Sequence, residues 1–243
     1  MVNTRISLPI VTAATFALGS VAHASSAPLI AIDVGHSFQS SGATSARGKS
    51  EFEFNRELAM IVWQSIAAKG GQAFEIGADG KSVDPESRPV EASAHNAKFF
   101  LSIHHDSVQQ QYLEDWTWQG GVQRHSDQFS GFSLFVSRKN KQVAVSLRCA
   151  SAIGAALKSA GFTPSAHHAE KIEGEDRPWA DQSNGVYYYD NLIVLKNAKI
   201  PAVLLEAGII ANKEEEKRLL DPGVRKNIGV AVTTGLNNCG MLK

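Results

Sequence analysis

Cysteine is scarce: only two of the 243 residues are cysteine, Cys149 and Cys239. Two isolated thiols lack the ligand spacing of a thiolate metal site, and they are too few for a disulfide framework. Both fall in segments of helical pattern, so their pairing stays open on sequence grounds. An excess of one charge is lacking too. Lys and Arg total 24, Asp and Glu total 24, and the formal net charge is zero. That removes the basic surplus on which nucleic-acid binding depends. Beyond residue 24 no apolar run reaches the length of a bilayer span. No internal repeat and no linker divides the chain.

What remains is an ordinary globular balance, 43% hydrophobic and 20% charged, in a length that suits one sizeable domain. The first residues stand apart. "MVNTRISLPIVTAATFALGSVAHA" opens with a short polar stretch containing Arg5, and an uncharged apolar run follows to about Ala22. It closes on Ala22-His23-Ala24, a small-x-small pattern. This is the layout of a secretory signal peptide spanning residues 1–24. A membrane anchor fits less well, because the run is short and broken by Pro9 and Gly19. The expected mature chain is exported and keeps no membrane span.

Along that mature chain, strands alternate with helices. "PLIAIDVGH" (28–36) reads as a strand running into a turn, and 51–71 as a helix with Leu58, Ile61, Val62 and Ile66 at helical spacing. "QAFEIG" is a strand, 84–99 holds a helix, and "FFLSI" (99–103) is a buried strand. The stretch 108–130 is polar and aromatic with no clean period. "GFSLFVS" reads as a strand, 140–161 as an amphipathic helix, and 162–190 as polar and irregular. "NLIVLK" and "IPAVLLEAGI" read as strands, and "KEEEKRLLD" and "PGVRKNIGVAVTTGLNN" as helices. The expectation is a single α/β domain over 28–243, with a mostly parallel twisted sheet and helices on both faces.

In such sheets, sites form where loops leave the carboxyl ends of strands. His36, His104 and Glu206 all lie at that position, and Glu51 opens the first helix. Two imidazoles and a carboxylate form a known ligand set for hydrolytic zinc, and a further carboxylate can handle the proton. Each residue also has an ordinary reading. His36 suits a loop, Glu51 suits a helix first turn, and His104 suits a core histidine bonded to backbone. Glu206 is harder to dismiss, because a carboxylate inside "AVLLEAGII" needs a partner. Side chains alternate along a strand, so His104 and His105 point to opposite faces.

Four segments in order, "IAIDVGHS", "GKSEFEFN", "AKFFLSIHHDS" and "IPAVLLEAGIIAN", resemble the motifs of the zinc-dependent N-acetylmuramoyl-L-alanine amidases of bacterial cell walls, the division-associated type included. The resemblance covers nearly all of 29–237. It implies one zinc ion held by His36, Glu51 and His104, with Glu206 as the catalytic carboxylate. Glu53 competes with Glu51 but fits the register of Asn55 and Leu58-Ala59 less well. The resemblance puts His105 away from the metal and gives Arg88 and Asn96 supporting roles. Two departures stand out: "SFQS" replaces a Gly-Gly run after His36, and Asp106 replaces a frequent Asn.

The implied reaction cleaves the amide between N-acetylmuramic acid and the L-alanine of the stem peptide. Zinc-activated water attacks, and Glu206 acts as general base, then acid. The implied substrate is peptidoglycan and the implied location is the periplasm. An activator protein enters because some relatives carry an inhibitory helix in the interval that is 108–130 here. Two rivals stay open: an exported zinc peptidase, which would typically show H-x-x-E at the first ligand, and a non-catalytic murein-binding protein, which would lack a ligand or Glu206. Trp116 and Trp118 are expected to pack onto the domain. His167-His168 is expected to be solvated, "EKIEGED" (170–176) a mobile surface and "KEEEKR" (213–218) a charged helical face.

Overall fold

The computed structural model describes residues 1–4, 27–82 and 84–242. The expected signal segment lies almost wholly outside the described residues. In chain order the elements are β1 (Leu29–Val34), α1 (Glu51–Ala68), β2 (Gln72–Ile76), α2 (Ser87–Ala94), β3 (Phe99–Asp106), β4 (Glu114–Trp118), β5 (Gly121–His125), β6 (Ser133–Val136), α3 (Val143–Ser159), β7 (Trp179–Asp181), β8 (Val186–Tyr188), α4 (Ile193–Lys196), β9 (Ala202–Ile209), α5 (Lys213–Leu220) and α6 (Pro222–Asn238). Seven strands form one sheet in the order β2-β1-β3-β9-β6-β8-β7. β1, β2, β3 and β9 run parallel, β6 is antiparallel to β9, and β7 is antiparallel to β8. The α/β architecture with a mostly parallel sheet is as expected.

The alternation of β3 sorts the layers. Phe99, Leu101 and Ile103 enter a large apolar cluster with Leu58 and Val62 of α1, Ile153 of α3, and Val232 and Leu236 of α6. Phe100 enters a smaller cluster on the other face, with Ala92 of α2 and Val194 and Leu195 of α4. One face is thus covered by three long helices and the other by two short ones. The helix ends follow local chemistry. Ser50 caps α1 in a reciprocal box with Glu53, and Asp221 caps α6 with Pro222 in the first turn. The two cysteines pair: Cys149 on α3 bonds Cys239 just past α6, with Cα atoms 5.1 Å apart.

Four readings change. "NLIVLK" contains the short helix α4 rather than a strand; an apolar run this short carries too little period to tell the two apart. The irregular 162–190 stretch holds β7 and β8. The aperiodic 108–130 stretch holds the β4–β5 hairpin, reversed at Gln119 and Gly120, both with positive φ. The charged face expected of α5 is only partly at the surface, with Glu214, Lys217 and Arg218 exposed. Glu216 is buried against Arg47, and the Glu215 carboxylate accepts from the Ile209 and Gly131 N–H groups.

Candidate metal centre

β1 ends at Val34, and the chain turns through Gly35 into His36, whose φ of 69° is a left-handed conformation that costs a non-glycine residue strain. Arg88 of α2 holds the turn. Its Nη2 donates to the His36 carbonyl at 2.6 Å and to the Ser82 carbonyl at 2.8 Å. Its Nη1 donates to Asp33 Oδ1 at 2.5 Å, and Ser102 Oγ donates to Asp33 Oδ2 at 2.6 Å. The buried Asp33–Arg88 pair is therefore fully bonded, as a buried pair must be. Asn96 ends α2 in a left-handed conformation, φ 59°, a helix-stop role.

Glu51 opens α1 and points inward. Its Oε2 lies 3.0 Å from His36 Nε2, and its Oε1 lies 2.9 Å from His104 Nδ1. The Ala43 N–H donates to Oε2 at 2.9 Å and Asn55 Nδ2 donates to Oε1 at 3.1 Å. Burial alone would push this carboxyl up, but the hydrogen bonds with His104 and His36 outweigh burial and hold it well below the usual range. Burial likewise opposes charge on His36, and Glu51 overcomes it, raising the imidazole. Glu53, the competing candidate, is occupied in the α1 cap. The structure brings His36, Glu51 and His104 together, with their ligand atoms within 4.8 Å of one another.

Two glycines make room for this. A Cβ on Gly42 would lie 2.6 Å from His36 Cδ2 and closer still to Glu51 Oε2. A Cβ on Gly35 would collide with the His104 ring. Two imidazoles and a carboxylate with this space kept around them are a donor set that fits zinc.

Glu206 sits in register with His104 on the neighbouring parallel strand, so both point to the same face. Its Oε2 is buried with no hydrogen-bond partner among the described residues. Burial first, then the nearby charges of Asp106 and Glu51, push its carboxyl well above the usual range. A cavity of about 380 Å³ opens beside His36 and His104, walled by Arg88, Tyr189 and Leu192. Another, of about 510 Å³, lies between Gly42–Thr44, Leu113 and the hairpin residue Val122.

His105 does face away from the triad, but it is more than a bystander. Its Nδ1 donates to Asn55 Oδ1 at 2.8 Å, and its backbone N–H donates to Glu51 Oε1 at 3.3 Å. His105 thus orients the amide that orients Glu51. Trp116 and Trp118 stack on each other at 5.4 Å, and Trp116 Nε1 donates to the Ala46 carbonyl at 2.8 Å. Both rings lie against the domain, as expected. The solvated reading of His167-His168 is overturned: both are buried against Asp106. Sequence spacing carried no signal for this, because Asp106 lies on β3 and the histidines follow α3.

The sequence model for N-acetylmuramoyl-L-alanine amidases matches residues 30–238. The chain belongs to that family. Its function is that of a peptidoglycan amidase. Solved structures agree in fold. The apo N-acetylmuramyl-L-alanine amidase Ami1 of Mycobacterium abscessus superposes with a TM-score of 0.69 at 21% identity, covering 87% of this chain and 98% of its own. The catalytic domain of the amidase CwlV of Bacillus (Paenibacillus) polymyxa var. colistinus gives 0.66 at 21%, covering 89% and 99%. The CwlD amidase of Clostridioides difficile, solved in complex with the GerS lipoprotein, gives 0.64 at 22%, covering 87% and 98%. No curated protein matches by sequence. In the amidase, the triad and Glu206 occupy the carboxyl ends of β1, β3 and β9 and the start of α1, where an α/β sheet places its chemistry.

Proposed function

We propose that the amidase hydrolyses the bond between the lactyl carbonyl of N-acetylmuramic acid and the stem L-alanine, with one zinc ion held by His36, Glu51 and His104. The observation that carries this reading is the convergence of three ligand atoms beside an in-register carboxylate on the next strand. Bound there, zinc supplies Lewis acidity that polarises the carbonyl and makes water a better nucleophile. Glu206 takes a proton from the attacking water and passes it to the departing alanine nitrogen, so the amide becomes a carboxylate and an amine. A carboxyl held above its usual range is suited to returning that proton. Asn55 and His105 keep Glu51 aimed, and Arg88 keeps the His36 turn closed.

The test is the chain from residue 25 onward, as wild type and Glu206→Gln, assayed for zinc content and for peptides released from purified murein. The expected result is equal zinc in both, with release falling roughly 10²–10⁴-fold in the variant. The products should carry a new L-alanine amino terminus. Unchanged turnover in Glu206→Gln removes its role. Products cut between amino acids replace the amidase reading with the peptidase one.

Export to the periplasm goes with this reading. Its supports are the signal-like residues 1–24 and the Cys149–Cys239 disulfide, which suits an oxidising compartment. Among the described residues no helix is long and apolar enough to cross a membrane. Amino-terminal sequencing of the exported chain should begin at Ser25. An accessory activator protein is a further proposed partner; that the CwlD amidase was solved in complex with the GerS lipoprotein shows that an amidase of this fold can carry a bound protein. Full turnover by the purified chain alone would dispense with it.

A further inference from the structure

A second convergence of ligand atoms lies outside the triad. Asp106 ends β3 where its pairing with β9 shifts register: His104 pairs with Glu206, but Asp106 pairs with Ile209. Such an irregularity re-aims a side chain. Into the space before it come His167 and His168, from a single helical turn following α3. Both imidazoles direct Nε2 at the same oxygen, Asp106 Oδ2, at 3.1 Å and 2.8 Å. Both hold their other nitrogen outward on a partner. His167 Nδ1 lies 2.9 Å from Ser165 Oγ, and His168 Nδ1 lies 2.8 Å from Glu175 Oε2. Glu175 is itself fixed by Gln109 Nε2 at 2.7 Å.

This is how a protein presents metal-binding histidines. A carboxylate or hydroxyl occupies the outer nitrogen and fixes the tautomer, leaving the inner lone pair free. His167 is 2% exposed and His168 7% exposed, so water does not compete freely for those nitrogens. The His167 Nε2 is buried 3.1 Å from Asp106 Oδ2, with no well-formed hydrogen bond among the described residues. A divalent cation satisfies all three atoms at once, and its charge balances Asp106 and Glu175. Tetrahedral zinc with ligands near 2.0 Å spaces them about 3.3 Å apart, close to the separations seen.

We infer that Asp106, His167 and His168 form a second metal site, separate from the triad, suited by its two imidazoles and one carboxylate to zinc or a similar borderline divalent ion. The ion fastens the segment around 165–177 to the end of β3, two residues beyond His104. Its role is positioning: it fixes one wall beside Glu206 and touches no reacting atom.

The experiment counts zinc per chain after dialysis against trace metal, using the chain from residue 25. Expected occupancies are two for wild type, one for His36→Ala, one for His168→Gln and none for the double variant. Cobalt substitution of His36→Ala should show ligand-field bands that vanish when His168→Gln is added. Should His168→Gln fail to fold by circular dichroism, His167→Gln takes its place. His36→Ala alone can overturn the second site, and the double variant assigns any ion that it keeps. If His36→Ala holds no zinc while wild type holds one, the second site is overturned and the triad stands. If the ion kept by His36→Ala survives in the double variant, it belongs to the remaining triad ligands, and the second site is again overturned.

Discussion

Replacing Gly42 by alanine adds one methyl group beside two of the three proposed ligands. Gly42 has φ +76°, and an L-residue held there costs about 1–2 kcal/mol. For a domain of this size that lowers Tm by roughly 2–4 °C per kcal/mol. The methyl does more than strain the backbone. Its carbon falls 2.6 Å from His36 Cδ2, where ordinary contact begins at 3.4 Å, and nearer still to Glu51 Oε2. That oxygen cannot simply swing aside, because the Ala43 N–H holds it at 2.9 Å. His36 and Glu51 must therefore separate by a good part of an ångström, and a misplacement of about 1 Å at a chemical site costs on the order of 10²-fold. The control is Gly70→Ala, which has the same φ of +76° and no atom within 4 Å of the added carbon. Gly42→Ala should lose at least as much Tm as Gly70→Ala by calorimetry of the metal-free chain, the excess reporting the clash. Only Gly42→Ala should lose zinc affinity, by about 10²-fold in a chelator competition. If its affinity stays within about threefold of Gly70→Ala, the close approach does not shape the ligand set and the reasoning fails.

Burial pushes the His105 imidazole down to about 3 from 6.5. The unfolded chain therefore takes up that proton first, so stability present above pH 6.5 is lost as pH falls toward the folded value. Between pH 7 and 5 the loss is about 2 kcal/mol. His105→Gln, which keeps a donor for Asn55 and cannot titrate, should flatten that slope in denaturant unfolding of the metal-free chain; parallel curves would refute it. Arg88→Met strands the buried Asp33 carboxylate and frees the His36 carbonyl, so it should cost about 3–5 kcal/mol and weaken zinc binding. A loss under about 1 kcal/mol would show that the pair is replaceable. The Cys149–Cys239 bond spans 90 residues of sequence, and its removal by paired serine substitutions should cost roughly 4–5 kcal/mol in guanidinium unfolding. Coincident curves for the paired-serine chain and the wild type would refute that.

The central layer was legible because its strands announce themselves. "LIAIDV" and "AVLLEAGI" are long, apolar and β-branched, and the helices between them carry clear period and caps. The triad was legible because each member stands next to such an element: His36 after β1, Glu51 opening α1, His104 near the end of β3. What failed to show was short or non-local. The four residues of α4 and the three each of β7 and β8 are too brief for periodicity to register. The hairpin left a trace in Trp116 and Trp118 at strand spacing, ahead of the turn pair Gln119-Gly120. The work of His105 could not be read from its own neighbourhood, because its partner Asn55 is 50 residues away. Glu216 read as one member of a charged helical face because its partner, Arg47, is 169 residues away.

α6 lies between α1 and α3 and closes on both. Gly229 comes against Ile61, and Gly235 comes so near Ile153 that a Cβ there would stand 2.7 Å from its backbone nitrogen. α6 is thus the helix that joins the early part of the chain to the middle. Until residues 222–238 arrive, Val62 and Ile153 have no Val232 or Leu236 to cover them, and Cys149 has no Cys239. The larger core is complete only once residues 222–238 are in place. A polypeptide built this way keeps the broad face of its sheet open until α6 has been made.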